Sequence, residues 1–338
     1  MSAPALTINL ALQGGGAHGA FTWGVLDALL EDGRFNFDGV SGTSAGAMNA
    51  LCLAYGLMTG GRDGARRTLA DFWESIARQS PFSPPAEASS AMAPALKLML
   101  QWTDYLSPEQ LNPLDLNPLR DLLAERFDFA RLRRDCPLKL FIAATHANSG
   151  KLRIFRNHEL SVDTLLASAC LPTIHRTIVI DGEPYWDGGY SANPAVFPLL
   201  YHCDSADILL VLLTPLRYSE TPVSAVEIKQ RLRELSFNAT FLREMRMFAH
   251  MREQIGNHWL PDWIPLARFE RRISRLRFHA ISGDELFDQL PADSKLAVNL
   301  SFFTQLRDSG RAHAHRWLQH HGERLGREAT LDLAALFY

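Results

Sequence analysis

Twice within the first 57 residues a short apolar run ends in a glycine-rich turn and continues into a helix-patterned segment. Leu6–Leu12 leads through GGGAHG into Ala20–Glu31, and Phe35–Val40 leads through SGTSAG into the almost wholly apolar Ala47–Leu57. A helix that returns the chain to the end where the previous strand began makes consecutive strands parallel, and a parallel sheet needs both faces covered. The βαβα order therefore predicts an α/β fold with a mainly parallel central sheet.

The next helix pattern, Asp63–Gln79, gives way to a segment rich in Pro, Ser and Ala from Ser80 to Pro118, with the apolar stretch ALKLMLQW and the paired phrase LNPLDLNPL. This segment reads as a lid or insertion, or equally as a surface connection with one packed helix. Regular patterns resume with a helix at 118–127, strands at 138–145 and 152–156, and a helix at 162–169. Two short strands follow around Asp181–Gly182, and the continuous apolar run 208–213 suits a central strand. Residues 218–270 read as a helical insertion in which Lys229, Arg231, Arg233, Arg243, Arg246, Arg252 and Arg268 are interspersed with Glu227, Glu234, Glu244 and Glu253. Mixed signs at such spacing predict a solvated helix face with local ion pairs. After a last strand at 276–282, residues 283–338 form a helical C-terminal region, read as helices 295–310 and 311–322.

The function classes left open are narrowed by charge and cysteine usage. A net charge of −3 over 338 residues argues against a nucleic-acid partner. Cys52, Cys136, Cys170 and Cys203 are widely spaced among apolar residues and read as buried thiols. The start MSAPALTINLALQGGG has no basic leader region, and no apolar run reaches the length of a membrane span, so a cytoplasmic chain is expected. A transient, peripheral contact with a membrane surface stays open.

Three motifs carry chemistry. Gly42-Thr43-Ser44-Ala45-Gly46 is a GxSxG between a strand and a helix, the context of a nucleophile elbow. Gly14, Gly16 and Gly19 satisfy the dinucleotide pattern GxGxxG, but Asp38, the acid at the expected distance, precedes the end of its strand, and that strand end delivers Ser44 instead. Gly14, Gly15 and Gly16 serve equally as amide donors for an oxyanion, next to the positive end of a helix. Asp187-Gly188-Gly189 follows a short strand, and its carboxylate is a candidate base for the serine.

GGGAHG, GTSAG and DGG in this order resemble the patatin-like phospholipase family, over about the first 200 residues. The resemblance implies a single domain over 1–338, with a three-layer α/β/α fold. It implies hydrolysis of lipid carboxyl esters, of phospholipase A or lysophospholipase type, through a Ser–Asp dyad and an acyl-serine, with no metal or cofactor. Carried over, Ser44 is the nucleophile, Asp187 the base, and Gly14, Gly15 and Gly16 the oxyanion hole; Ser168, Ala169 and Pro172 match the segment leading to DGG. The partner implied is a lipid or other acyl-ester substrate. Two positions depart: the family commonly has Asp at position 13 and Arg or Lys at position 18, where this chain has Gln13 and His18.

Two other readings stand beside this one. A triad using His146 or His175 would make a non-lipid esterase, although His175 precedes Asp187, against the α/β-hydrolase order. A catalytically silent nucleotide- or lipid-binding module would keep the glycine loop without an activated serine. His315 and His320, in the C-terminal histidine cluster, do not share a helix face, which argues against zinc.

Overall fold

In the computed structural model, residues 5–79, 107–256 and 268–338 are described. Strands β1 (Leu6–Leu12), β2 (Phe35–Thr43), β3 (Lys139–His146), β4 (Leu152–Arg156), β5 (Ile178–Ile180), β6 (Glu183–Asp187), β7 (Asp207–Leu212) and β8 (Arg277–Ser282) form one sheet. Among them β3, β2, β1, β7 and β8 are consecutive parallel neighbours, while β4, β5 and β6 are antiparallel additions.

The helices, in chain order, are α1 (Gly19–Asp32), α2 (Ala45–Gln79), α3 (Pro108–Leu111), α4 (Pro118–Arg126), α5 (Phe129–Asp135), α6 (Val162–Ser168), α7 (Phe197–His202), α8 (Ala225–Gly256), α9 (Arg268–Arg275), α10 (Asp284–Gln289), α11 (Leu300–His321) and α12 (Leu333–Phe337). Strand residues alternate between two cores. Leu10, Leu12, Leu209 and Val211 pack with Phe21, Leu26 and Leu29 of α1 and Phe303 and Leu306 of α11. Ala11, Ile208, Leu210 and Leu212 face the other way, onto Phe241, Met245 and Phe248 of α8 and Phe337 of α12. Helix layers on both faces of the sheet make the fold the three-layer α/β/α arrangement.

Several boundaries differ from the sequence reading. The helix patterns at 47–57 and 63–79 form one element, α2, bent at Gly60 and Gly61 where the backbone leaves helical geometry. The two helices read at 295–310 and 311–322 are a single helix, α11, beginning at Leu300. Gly310 does not stop it, because a side chain there would drive into the carbonyl of Phe21, so the glycine serves a close crossing of α1 and α11. Cys136 is half-buried, while the other three thiols are buried, and all four are free. Of the proposed lid at 80–118, residues 80–106 lie outside the described residues.

Candidate active site

The carboxyl ends of parallel strands are where such sheets present their chemistry. The loop Gly14–Gly16 leaves the end of β1, and Ser44 follows the last residue of β2. Ser44 holds a left-handed φ of 53°, unusual for a residue with a side chain, in a partly exposed turn. The elbow is tight: a side chain at Gly46 would collide with the carbonyl of Leu12 on the neighbouring strand. The loop from β1 is as close, since a Cβ on Gly14 would lie 2.6 Å from the Thr43 carbonyl and 2.8 Å from Ser44 Cβ.

Strand register brings Asp187 to the same place. Ala143 of β3 pairs with Thr43 of β2 on one edge and Ile154 of β4 on the other. The next residue, Ala144, pairs with Arg153 of β4 and with Asp187 of β6. Since β4 holds one edge, β6 takes the edge that β2 gives up at the elbow. Asp187 thus occupies the level of β3 where Ser44 turns out of the sheet.

The segment after α6 locks that juxtaposition. Ser44 N–H donates to Ser168 Oγ at 3.0 Å, and Asp187 N–H donates to the Cys170 carbonyl at 2.7 Å. Two residues of one turn therefore hold the backbones of both candidate catalytic groups. Ser168 and Cys170 are buried, so neither bond competes with water.

Asp187 is 1% exposed. Its Oδ1 accepts from Gly189 N–H at 2.7 Å, and its Oδ2 is buried with no hydrogen-bond partner. Burial pushes its pKa up to about 7, against the Gly189 amide and the nearby Ser44 hydroxyl, which favour the charged form. A carboxylate at that value is a far better proton acceptor at neutral pH than an ordinary aspartate.

The glycine loop divides its amides. Gly14 N–H donates to Asn193 Oδ1 at 2.7 Å, while Asn193 Nδ2 reaches back to the Gly14 carbonyl at 3.4 Å. The Gly14 amide is therefore occupied, a departure from three parallel donors. The amides of Gly15, Gly16 and Ala45 meet no acceptor among the described residues. Ala45 opens α2, so its amide carries the positive end of that helix's dipole. Asn193 was not singled out by the sequence reading; its only signal was the Asn-Pro step of SANPA, six residues past the acid.

Both unusual residues of the loop have a packing explanation. Gln13 is fully buried; its Oε1 accepts from the amides of Leu213 and Thr214 at 2.6 and 2.9 Å, and its Nε2 donates to the Asn193 carbonyl at 3.3 Å and Asn238 Oδ1 at 3.4 Å. A carboxylate could make the first pair of bonds but not the second. His18 stacks on Phe287, with ring centroids 4.9 Å apart, and meets Ser294 Oγ at 2.7 Å. Burial, together with the charge of Lys295, pushes its pKa down to about 3, so the ring is neutral.

Other candidates fall elsewhere. Asp38 lies at the amino end of β2, about 20 Å of strand before Ser44, where it pairs with Lys139 at 2.9 Å. It cannot serve a ligand on the glycine loop. His146 is held by Glu183 at 2.6 Å and Ser149 at 2.9 Å, and His175 is exposed; neither hydrogen-bonds Ser44 or Asp187 among the described residues.

The family model described as patatin-like phospholipase matches residues 10–200, a span that holds the glycine loop, the elbow, the DGG turn and Asn193. No curated protein sequence matches significantly. Similar solved structures include VipD from Legionella pneumophila, 18% identical, covering 91% of this chain and 68% of that one, with a TM-score of 0.35. Full-length ExoU, solved in complex with SpcU from the type III secretion system of Pseudomonas aeruginosa, is 16% identical, covering 94% of this chain and 54% of that one, with a TM-score of 0.32. The chain thus spans little more than half the length of ExoU.

Proposed function

Because the chain belongs to the patatin-like phospholipase family and is on that ground a lipid-ester hydrolase, we propose that it works through a Ser44–Asp187 dyad and an acyl-serine intermediate. The observation that carries this reading is the placement of a buried, half-satisfied Asp187 carboxylate at the level of β3 where Ser44 leaves the sheet.

In the first step Ser44 Oγ attacks the ester carbonyl carbon and its proton passes to Asp187 Oδ2. The carbonyl π electrons move onto oxygen, and the amides of Gly15, Gly16 and Ala45 supply donors for that charge. Collapse of the tetrahedral centre breaks the bond to the leaving alcohol, which takes the proton from Asp187. Water then attacks the acyl-serine, again giving its proton to Asp187, and collapse breaks the bond to Ser44 Oγ, which takes that proton back as the fatty acid leaves. Gly14 supports the loop through Asn193 rather than donating to substrate.

Phospholipid or lysophospholipid carboxyl esters are the proposed substrates. Labelling with a fluorophosphonate probe tests the nucleophile, together with hydrolysis of a panel of acyl esters. Ser44→Ala is expected to lose both labelling and hydrolysis, while His175→Ala keeps both. Normal hydrolysis by Ser44→Ala would overturn the dyad. So would a loss confined to His175→Ala with Asp187→Asn still active.

A further inference from the structure

Between the DGG turn and α7 the chain runs as a strap, residues 192–197, that is bonded to both loops of the site. The Ala192 carbonyl accepts from Thr43 Oγ1 at 2.9 Å, one residue before Ser44. The Asn193 carbonyl accepts from Gln13 Nε2 at 3.3 Å, and the Asn193 side chain takes the Gly14 amide at 2.7 Å. A Cβ on Gly14 would lie 3.2 Å from Asn193 Oδ1 and 2.8 Å from Ser44 Cβ, so strap, glycine loop and elbow converge on one point.

The far end of the strap opens α7, and the local sequence provides no cap there. The first turn of a helix leaves amides without intrahelical acceptors, and Val196, at the cap position, has no side-chain oxygen to offer. Glu244 of α8 fills that place. Its carboxylate accepts from Val196 N–H at 3.0 Å and from Phe197 N–H at 2.5 Å. Burial raises its pKa to about 7, and the same two amides oppose that rise.

The helix is a firm base for this contact, because Phe241, Met245 and Phe248 on either side of Glu244 pack into the core on that face of the sheet. It reaches the strap a second time through Asn238, whose Oδ1 accepts at 3.4 Å from the same Gln13 Nε2 that bonds the Asn193 carbonyl. A cap that served α7 alone would matter to stability and to nothing else. The bonds from the strap to Thr43, Gln13 and Gly14 make this one part of the catalytic geometry.

We propose that Glu244 is a positioning residue for the hydrolysis: by gripping the amides of Val196 and Phe197 it fixes the strap, and through Asn193 it aims the glycine-loop amides at the oxyanion formed beside Ser44. This rests on the reading of Ser44 as nucleophile and of the glycine loop as oxyanion donor, and it extends that reading to a distant residue that hydrogen-bonds neither loop among the described residues.

Steady-state hydrolysis of a soluble short-chain ester at pH 8 tests it, with rates taken per folded molecule and denaturant midpoints recorded for every variant. Glu244→Asp keeps the charge but withdraws the carboxylate by one methylene, whereas Glu244→Gln keeps the reach and an acceptor oxygen. Glu244→Asp is expected to lose about tenfold in kcat with KM little changed, and Glu244→Gln to stay within about threefold of wild type. In an Asn193→Ala background, where the strap no longer holds Gly14, Glu244→Asp should cost less than about twofold. Unchanged kcat in Glu244→Asp, an equal loss in both backgrounds, or a Glu244→Gln variant as slow as Glu244→Asp would overturn the role. Ser44→Ala separates the two readings: hydrolysis surviving in that variant would strike the nucleophile, whereas its loss there beside an unimpaired Glu244→Asp would strike the positioning role alone.

Discussion

Ser44 and Asp187 meet because β2 and β6 share one edge of β3: Ala143 is the last β3 residue paired with β2, and Ala144 is the first paired with β6. The buried turn carrying Ser168 and Cys170 then holds both backbones. The proposed role of Asp187 as base should be visible in pH, in stability and in the response of the loops around it.

Asp187→Asn removes the proposed proton acceptor while keeping the shape. Steady-state hydrolysis is expected to fall by about 10²–10⁴ in kcat. In the wild type kcat/KM should rise with pH through about 7, as burial-raised Asp187 ionises. A flat profile across pH 5–8 would remove Asp187 from the role of base.

The same variant should be more stable at alkaline pH. Asp187 is raised by burial from 3.8 to about 7, so its contribution to stability is present below about 4 and is lost as pH rises through 7. His18 is lowered by burial and Lys295 from 6.5 to about 3; its contribution is present above 6.5 and is lost as pH falls toward 3. Denaturant unfolding should therefore show Asp187→Asn gaining on the wild type as pH rises, and His18→Gln gaining as pH falls. Each slope should approach about 1.4 kcal/mol per pH unit between pH 4.5 and 6. Parallel stability curves for variant and wild type would refute the assigned shifts.

Asn193→Ala breaks both bonds to Gly14. The loop amides then lose their bearing relative to Ser44, and kcat is expected to drop about tenfold to a hundredfold with KM little changed. A loss of thermal stability with kcat intact would mean that Asn193 only supports the fold.

Gly46→Ala and Gly14→Ala test the closeness of the two loops. Each places a methyl group against backbone or Ser44 itself, and each should lower kcat/KM by more than about a hundredfold. Asp207→Asn is the contrasting case. Asp207 is buried at the far end of the sheet, where Arg277 at 2.6 Å, His279 at 3.1 Å and the Gly326 amide outweigh burial and hold it well below the usual carboxylate range. Its loss should cost about 3 kcal/mol of stability, read by denaturant unfolding, with kcat per folded molecule retained.

The parallel sheet and the tight glycine turns after β1 and β2 were legible in the chain because each is local. Period-two apolar runs make strands, and glycines at 14, 42 and 46 allow loops to approach where any side chain would collide. Asp187 could be named from DGG beside a serine, although nothing in the motif set its distance from Ser44. Asn193 stayed hidden, since an Asn-Pro step signals a turn and says nothing of which amide its side chain will cap.

Tertiary structure decided the rest. Two residues far apart in the chain became neighbours through the edge of a third strand, and the pKa of Asp187 rose because surrounding segments closed over it. Gln13 and His18 acquired their roles from partners at 193, 238, 287 and 294. Glu234 and Glu244, which along the chain are two more charges of a mixed-sign helix, turned inward onto Lys295 and the start of α7. Periodicity is a property of neighbouring residues and can be read along the chain; burial and partnership depend on what distant segments bring, and are settled only when the layers pack.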